Sequence, residues 1–251
     1  QRALGSVQTA LTPAETLAVE PALAHYAPRF AGAIHTPGEC AADCYKVCQA
    51  LQQRLQAGGV RFLFDTTVTR LVPDGDRIAA VETAQGGLMA DAFVLALGSA
   101  SSRLLQPLGL GVPVYPLKGY SITLQASAQP GAAPRVNVTD AARKVVFARI
   151  GSRLRVAGMA ELVGESTAIP ADRIASLVTT TRELFPEASK FSDVQPWAGL
   201  RPATPTGLPI IGRLPGAPHN LLLNTGHGAL GFTLAFGSAQ RVAGMCRTPL
   251  F

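Results

Sequence analysis

Residues 224–233 read NTGHGALGFT, and within them Gly226–Gly231 satisfies the dinucleotide-binding pattern G-x-G-x-x-G. A strand-like run precedes the pattern and an apolar, helix-like run follows it, but only 20 residues come after Gly231. A dinucleotide fingerprint opens a βαβ unit and has an acidic residue about 20 positions later. No second strand fits after Gly231, and no Asp or Glu occurs there. The dinucleotide interpretation therefore fails.

Two other interpretations of the glycine loop remain open, one with a bound ligand and one without. Glycines let the backbone approach a ligand closely, and the helix that starts near Leu230 aims its free N–H groups and positive dipole end at that position. Such a site suits an anionic or electron-rich group. The alternative, to which the motif alone gives equal weight, is a tight strand–helix turn that binds nothing.

The composition predicts a globular protein. The 251 residues suffice for one large domain or two intertwined ones, and 47% hydrophobic with 15% charged residues excludes disorder. No apolar stretch approaches the ~20 residues of a membrane span, and no signal-peptide pattern is visible. The chain starts with Gln1 rather than Met, so we expect that an N-terminal segment is missing.

The net charge of +6 comes mostly from singly scattered arginines, without a basic run. Nucleic-acid binding favours a basic stripe or interleaved aromatic residues, so we expect no nucleic-acid partner. A basic surface is compatible with anionic lipid headgroups or an acidic substrate.

Three of the four cysteines, Cys40, Cys44 and Cys48, are spaced by four on a predicted helix, and the fourth is Cys246. The C-x-x-C pairs of zinc and cluster sites are absent, and no histidine follows closely. We therefore predict no metal, and small buried or half-buried thiols in a reducing compartment.

Strand-like and helix-like segments alternate and predict an α/β fold with α+β character. Asp43 is a predicted helix N-cap, Val47, Leu51 and Leu55 form an apolar helical face, and Gly58–Gly59 ends that helix. Further predicted elements are the strands 31–35, 60–64, 67–72, 114–124, 144–150 and 154–159, the hairpin 78–83 with 88–90, and the helix 171–184.

The apolar run Phe93–Leu97 continues into Gly98–Ser99 and a predicted helix over 102–108, which is typical of a buried parallel strand. Parallel-type segments over 41–110 and 201–251 bracket a mostly antiparallel block over 111–200, and 1–40 precedes them. These patterns predict one discontinuous domain with a second domain interleaved in it.

A second informative stretch is WAGLRPATPTGLPIIG, residues 197–212. Arg201 stands there in an apolar setting, and a buried arginine is costly unless its planar fork meets a carboxylate or phosphate. The alternatives are an internal salt bridge or an exposed side chain.

Together with LLLNTGHGALGFTLAFGS (221–238), this stretch resembles the C-terminal signature of the flavin-dependent D-amino acid oxidase and glycine oxidase superfamily. VYPLKGYSITL (114–124), RLRVAGMAELVG (153–164) and ADAFVLALGS (90–99) narrow the resemblance to the small subunit of bacterial D-amino acid dehydrogenases. It extends from about Glu20 to about Gln240.

The resemblance implies FAD as cofactor, with the C-terminal glycine loop at the isoalloxazine ring. It assigns cofactor contacts to Val68, Ala96, Leu97, Gly98, Gly199, Gly228, Ala229, Leu230, Gly231, Phe232 and Thr233. Arg201 matches the arginine that binds the substrate carboxylate, and Tyr120 and Lys144 are assigned to the substrate wall. Segments 41–110 and 201–251 would then form the FAD domain, and 1–40 and 111–200 the substrate domain.

The implied chemistry is the oxidation of a D-amino acid, such as D-alanine, to an imino acid that water hydrolyses to a 2-oxo acid and ammonia. Hydride passes from Cα to flavin N5, so no catalytic side chain is required, and His227 is interpreted as shaping the loop. Electrons would pass to a respiratory quinone or another electron-transfer partner. The implied location is the bacterial cytoplasm, with peripheral contact to the cytoplasmic face of the plasma membrane.

The sequence departs from the family at its start, because the family opens with a βαβ unit that carries the true fingerprint. The only other G-x-G, Gly109-Leu110-Gly111, continues into Val112–Pro113 and starts no helix. We therefore expect a truncated FAD-binding domain, with open strand edges and exposed apolar surface.

Three hypotheses remain open. The chain is a C-terminal fragment of a D-amino acid dehydrogenase, active only with the N-terminal part. It belongs instead to a neighbouring branch that oxidises glycine, sarcosine or a 2-hydroxy acid. Or it is an inactive remnant that does not retain FAD.

Overall fold

Helices and strands alternate along this computed structural model, which describes Ala3 and residues 5–247. The α-helices are α1 (Pro13–Val19), α2 (Cys44–Ala57), α3 (Ser101–Leu105), α4 (Ala171–Leu184) and α5 (Gly231–Arg247). The strands are β1 (Thr9–Leu11), β2 (Ala33–His35), β3 (Val68–Asp74), β4 (Arg77–Thr83), β5 (Gly86–Met89), β6 (Phe93–Leu95), β7 (Tyr115–Gln125), β8 (Val138–Asp140), β9 (Val145–Ile150), β10 (Arg153–Glu161), β11 (Gln195–Ala203), β12 (Ile210–Gly212) and β13 (Leu221–Thr225). Short 3-10 helices cover Pro21–Arg29, Gly98–Ala100, Gln106–Leu108 and Gly228–Leu230.

The chain divides into two units, each made of three segments. The first unit comprises Gln1–Cys48, Gly119–Glu161 and Thr167–Gly199, and the second comprises Gln49–Lys118, Leu162–Ser166 and Leu200–Phe251. The assignment of flavin and substrate roles to segments of the chain stays a prediction.

The core of the first unit lies between antiparallel strands and α4. Strand β10 pairs antiparallel with β9, which also pairs antiparallel with β8, in the sheet ordered β11-β7-β10-β9-β8. Side chains alternate along β10, so that Leu154 and Val156 face inward. They share this core with Leu177 of α4 and with Phe147 and Phe185, whose rings meet edge to face at 5.1 Å between centroids. The predicted antiparallel block is confirmed.

The second unit contains a short sheet with the order β12-β13-β6. Strands β13 and β6 are parallel, with Leu221 opposite Phe93 and Leu223 opposite Leu95, which confirms the predicted parallel strand. Its predicted burial holds only for Leu95, because Val94 is 44% and Leu97 47% exposed. A separate antiparallel sheet, β3-β4-β5, completes the unit. The Asn220 carboxamide joins the two sheets, because it accepts from the Ile78 amide at 2.7 Å and donates to the Ile78 carbonyl at 2.9 Å. The mixed α/β class is therefore confirmed.

Local signals predicted the helix ends well. The Asp43 carboxylate accepts from the Lys46 amide at 3.3 Å, as an N-cap does, and Gly59 ends α2 with a φ of 90°. The predicted helix over 171–184 agrees with α4.

Two expectations were wrong. Residues 60–64 form no strand and end in a turn at Phe64–Asp65, because no neighbouring segment pairs with them in the described part of the chain. All four cysteines are exposed thiols rather than buried or half-buried ones, and two of them, Cys44 and Cys48, lie on α2, a helix that has no buried residue.

Candidate functional site

The candidate site lies at the carboxyl ends of the parallel strands β6 and β13. The turn Ala96–Gly98 follows β6, and the glycine loop follows β13. The Thr225 hydroxyl, at the end of β13, donates to the Gly98 carbonyl at 2.9 Å. Ligands of open α/β sheets bind outside the carboxyl ends of the strands. The structure thus brings together two of the segments that the sequence assigned to the cofactor.

The first two glycines of the loop are needed for different reasons. Gly226 and Gly228 both have left-handed backbones, with φ of 79° and 54°. A Cβ at position 226 would lie 2.7 Å from Cγ2 of Thr204, so the backbone there packs closely on its own unit. A Cβ at position 228 would meet no atom within 4 Å. The loop is therefore tight at Gly226 and open at Gly228, where a ligand can approach the backbone.

The start of α5 continues this open surface. Gly228 and Gly231 are half-buried, whereas Ala229, Leu230, Phe232 and Thr233 are exposed. The first N–H groups of an α-helix lack partners inside the helix and carry the positive end of its dipole. The free N–H groups and the positive dipole end at this helix start therefore favour an electron-rich or anionic ligand.

His227 occupies the middle of the loop and is tied to α5. Its Nε2 atom lies 2.9 Å from the hydroxyl of Ser238, a buried residue of that helix. Burial lowers the pKa of the His227 imidazole from its ordinary value of 6.5, so the ring is neutral at pH 7. A neutral ring bound to a helix hydroxyl is consistent with the predicted loop-shaping role.

Arg201 lies on β11 and belongs to the second unit. Its side chain is half-buried rather than exposed, and burial lowers the pKa of its guanidinium. The group stays charged, because an arginine keeps its proton throughout the physiological range. A partly desolvated guanidinium attracts a carboxylate more strongly than a fully hydrated one does.

Tyr120 and Lys144, the other predicted substrate residues, belong to the first unit. Tyr120 is 1% exposed, and its hydroxyl donates to Glu161 at 2.5 Å. The other oxygen of Glu161 pairs with Arg173 at 2.5 Å. Lys144 is exposed in the turn before β9, with a φ of 57°, and β10 lies between β9 and the strand of Tyr120. The structure therefore does not bring these two side chains together.

Gly199 belongs to the first unit, and Val68 belongs to the β3-β4-β5 sheet of the second unit. A Cβ at position 199 would overlap the ring of Trp197, whose face also carries the Arg155 guanidinium at 5.3 Å. Packing under this ring gives a steric reason for a glycine there. Val68 is half-buried at the start of β3 and pairs with Thr83 in the other sheet of the second unit. Their cofactor roles stay predictions.

Sequence reasoning missed three polar residues at this edge. Thr225 and Ser238 form the hydrogen bonds described above, and the Asn224 side-chain oxygen is buried without a hydrogen-bond partner in the described part of the chain. The available signal was a polar residue inside an apolar strand or helix, because a buried polar group needs a partner. The identity of that partner was not readable from the sequence.

Comparison with known proteins gives the family. Residues 1–245 match the family described as FAD dependent oxidoreductase. The chain belongs to this family. Its cofactor, FAD, fits the residues at the β6–β13 edge, where an open glycine backbone and a helix start meet.

Curated relatives in this family confirm the resemblance found from the motifs. The chain is 50% identical to D-amino acid dehydrogenase 2 of Ralstonia nicotianae, over 97% of this chain and 59% of that protein. It is 48% identical to D-amino acid dehydrogenase of Bradyrhizobium diazoefficiens, over 91% of this chain and 54% of that protein. The chain thus spans less than 60% of the length of either relative.

Solved structures of FAD-dependent oxidoreductases share the fold. Glycine oxidase from Geobacillus kaustophilus superposes with a TM-score of 0.87 at 26% identity, covering 97% of this chain and 64% of that one. L-proline dehydrogenase from P. horikoshii has the same TM-score at 18% identity, over 98% and 66%, and shows the fold alone. Within residues 5–247, no helix is long and apolar enough to span a membrane.

Proposed function

We propose that this chain serves the FAD-dependent oxidative deamination of D-amino acids, such as D-alanine, to 2-oxo acids and ammonia. The observation that carries the proposal is the 50% identity to a D-amino acid dehydrogenase over 97% of the chain. The second unit supports it, because its glycine loop and its half-buried Arg201 offer the two kinds of contact that a flavin and an amino acid carboxylate need.

The glycine loop and the start of α5 hold the flavin in this proposal. When bound, FAD supplies the acceptor for the hydride that leaves the substrate Cα. The N–H groups of Gly228 and Ala229 and the positive end of the α5 dipole stabilise negative charge on the ring. These dipoles are fixed by the fold before the reaction, so they need little reorganisation.

Arg201 binds the substrate carboxylate through its planar fork. A bidentate contact fixes the orientation of the substrate as well as its position, which is the main contribution that a hydride transfer asks of the protein. Contacts of Tyr120 and Lys144 with the substrate remain proposals of lower weight, because the Tyr120 hydroxyl already binds Glu161 and Lys144 lies in a turn.

In this proposal a respiratory quinone or another electron-transfer partner would accept the electrons from bound FAD, and the protein would associate loosely with the cytoplasmic face of the plasma membrane. The net charge of +6 supports such contact, since anionic headgroups attract a basic surface. No nucleic acid takes part.

A second candidate is the oxidation of glycine, sarcosine or a 2-hydroxy acid. The likeness to a glycine oxidase, at 26% identity with a TM-score of 0.87, favours it. The 50% identity to a D-amino acid dehydrogenase weighs more heavily, so we rank this candidate second. A third alternative, a fragment that does not retain FAD, follows from the partial coverage of the relatives.

The test is a binding and bleaching experiment on the 251-residue chain. The protein is incubated with FAD, separated from free cofactor by gel filtration and examined by visible spectroscopy. D-alanine is then added anaerobically, with L-alanine, glycine, sarcosine and a 2-hydroxy acid in parallel. Selective bleaching by D-alanine supports the proposal, bleaching by glycine or sarcosine supports the second candidate, and a colourless protein contradicts flavin retention by this chain.

A further inference from the structure

We propose that His227 and Ser238 form a brace that holds the glycine loop in its ligand-binding conformation before the ligand arrives. The name brace refers to these two side chains and the hydrogen bond between them. His227 is then a positioning residue, which acts through the loop backbone rather than by touching the substrate. The inference rests on the proposed function, because the ligand that benefits is the flavin.

The loop needs an external constraint because of its glycines. His227 stands between Gly226 and Gly228, both with positive φ. Glycine loses more conformational freedom on ordering than any other residue, so such a backbone samples many conformations unless other contacts select one. His227 is the only residue between the two glycines, and its side chain makes the link to α5.

The link reaches into the buried side of α5. Nε2 of His227 lies 2.9 Å from Oγ of Ser238, eleven residues further along the chain. Ser238 is 4% exposed and shares the inward face of the helix with Val242. A serine is a weaker helix former than alanine and carries a hydroxyl that must be satisfied when buried. His227 supplies that partner. Removing either side chain would therefore leave the other without its hydrogen-bond partner.

The brace acts on the atoms that would meet the flavin. The His227 carbonyl accepts from the Leu230 amide at 3.0 Å, which closes the 3-10 turn Gly228–Leu230 at the start of α5. Holding the imidazole therefore holds the carbonyl, the turn and the direction of the N–H groups that follow. Donors fixed in advance stabilise charge more effectively than donors that must be ordered during binding.

The test compares three variants of the flavin-free chain by amide hydrogen exchange. Ser238→Ala and His227→Ala each break the brace, whereas His227→Gln keeps a polar nitrogen close to the place of Nε2. His219→Ala is the matched histidine control, because His219 is half-buried like His227 but contacts Asp76 instead. Gln240→Ala is the control on the exposed face of α5.

We expect the amides of residues 228–231 to exchange about fivefold faster or more in both brace-breaking variants, as the loss of one hydrogen bond predicts. The amides of β13 should keep their rates, and His227→Gln should recover part of the protection. Unchanged exchange at residues 228–231 in Ser238→Ala and His227→Ala overturns the brace. Equal acceleration in β13 also overturns it, because the pair would then serve only general stability.

FAD affinity, measured by quenching of flavin fluorescence, gives the second readout. Where the wild-type chain binds FAD, both brace-breaking variants should bind it several-fold more weakly, with His227→Gln intermediate and the two controls unchanged. Faster exchange without weaker FAD binding overturns the positioning role. Where the wild-type chain retains no FAD, the proposed function of this chain fails, and the exchange rates still decide whether the brace orders the loop.

Discussion

The core of the first unit and the helix α5 of the second unit contain similar apolar side chains. Those of the core are buried, whereas several of those on α5 are exposed to solvent. Phe147 and Phe185 are fully buried between β9, β10 and α4. Phe236 of α5 is 64% exposed, and α2 has no buried residue at all. An apolar face indicates that a segment gains stability from a partner, but only the tertiary structure shows whether the partner is there.

The largest expected effect is on stability, and it is tested by substituting one buried and one exposed phenylalanine. Phe147→Ala removes a fully buried ring and its edge-to-face contact with Phe185, so it should destabilise the protein by about 3–5 kcal/mol. Phe236→Ala removes a ring that touches mainly solvent and should change stability by less than ~0.5 kcal/mol. Urea denaturation followed by circular dichroism measures both. Comparable losses would show that the exposed face of α5 is covered in solution.

The next largest effect concerns substrate binding by Arg201, a half-buried residue of the second unit. In a preparation that turns over, Arg201→Ala should raise the KM for D-alanine by roughly 10- to 100-fold, because a hydrogen bond to a charged group is worth about 1.5–3 kcal/mol. Arg201→Lys should recover only part of the loss, since an ammonium cannot form the planar bidentate contact. Arg213→Ala, at an exposed position of the same unit, is the matched control. Unaltered steady-state kinetics would exclude Arg201 from carboxylate binding.

The two left-handed glycines allow a finer test inside the loop. Gly226→Ala combines a strained backbone with a contact 2.7 Å from Thr204, so it should destabilise the protein by about 2–4 kcal/mol. Gly228→Ala has the same sign of φ but open space around Cβ, and should cost only about 1–2 kcal/mol. Thermal unfolding of the two variants side by side measures the difference. Equal losses would mean that the packing against Thr204 contributes nothing.

The smallest expected effect is a pH dependence that comes from His227. Burial lowers the pKa of this imidazole in the folded state, so the folded protein binds fewer protons than the unfolded one below pH 6.5. The corresponding stability is fully present above pH 6.5 and declines as the pH falls from there through the lowered pKa. His227→Gln should flatten this part of the curve of unfolding free energy against pH. An identical slope in His227→Gln and the wild type would contradict the assignment.

Features with a local cause could be predicted from the sequence. Asp43 caps α2, Gly59 ends it, and α4 has the predicted bounds, because caps and helical periodicity act within a few residues. The parallel pairing of β6 and the position of the glycine loop after β13 were also predictable. In an α/β fold, an apolar run followed by glycine is typical of a parallel strand and the turn that follows it.

Features that depend on distant partners could not be predicted in the same way. Residues 60–64 have the composition of a strand but no strand beside them. The Tyr120 hydroxyl donates to Glu161, which is 41 residues away, and no sequence pattern indicated this partner. The link from His227 to Ser238 depends on how the loop turns back on its helix. Each case is a choice among tertiary partners, and the periodicity of a single segment carries no information about that choice.

The hydrogen bond from Thr225 to Gly98 also bears on how the protein is made. These residues are separated by 127 positions, and β6 finds its parallel partner β13 only after that stretch has been synthesised. At 5–20 residues per second, a ribosome needs roughly 6 to 25 s for this distance. During that interval the nascent β6 segment has no β13 to pair with, so the two turns that follow these strands, both proposed to contact the flavin, come together only late in synthesis. Chaperones that bind emerging apolar strands would therefore act on this segment before a cofactor can.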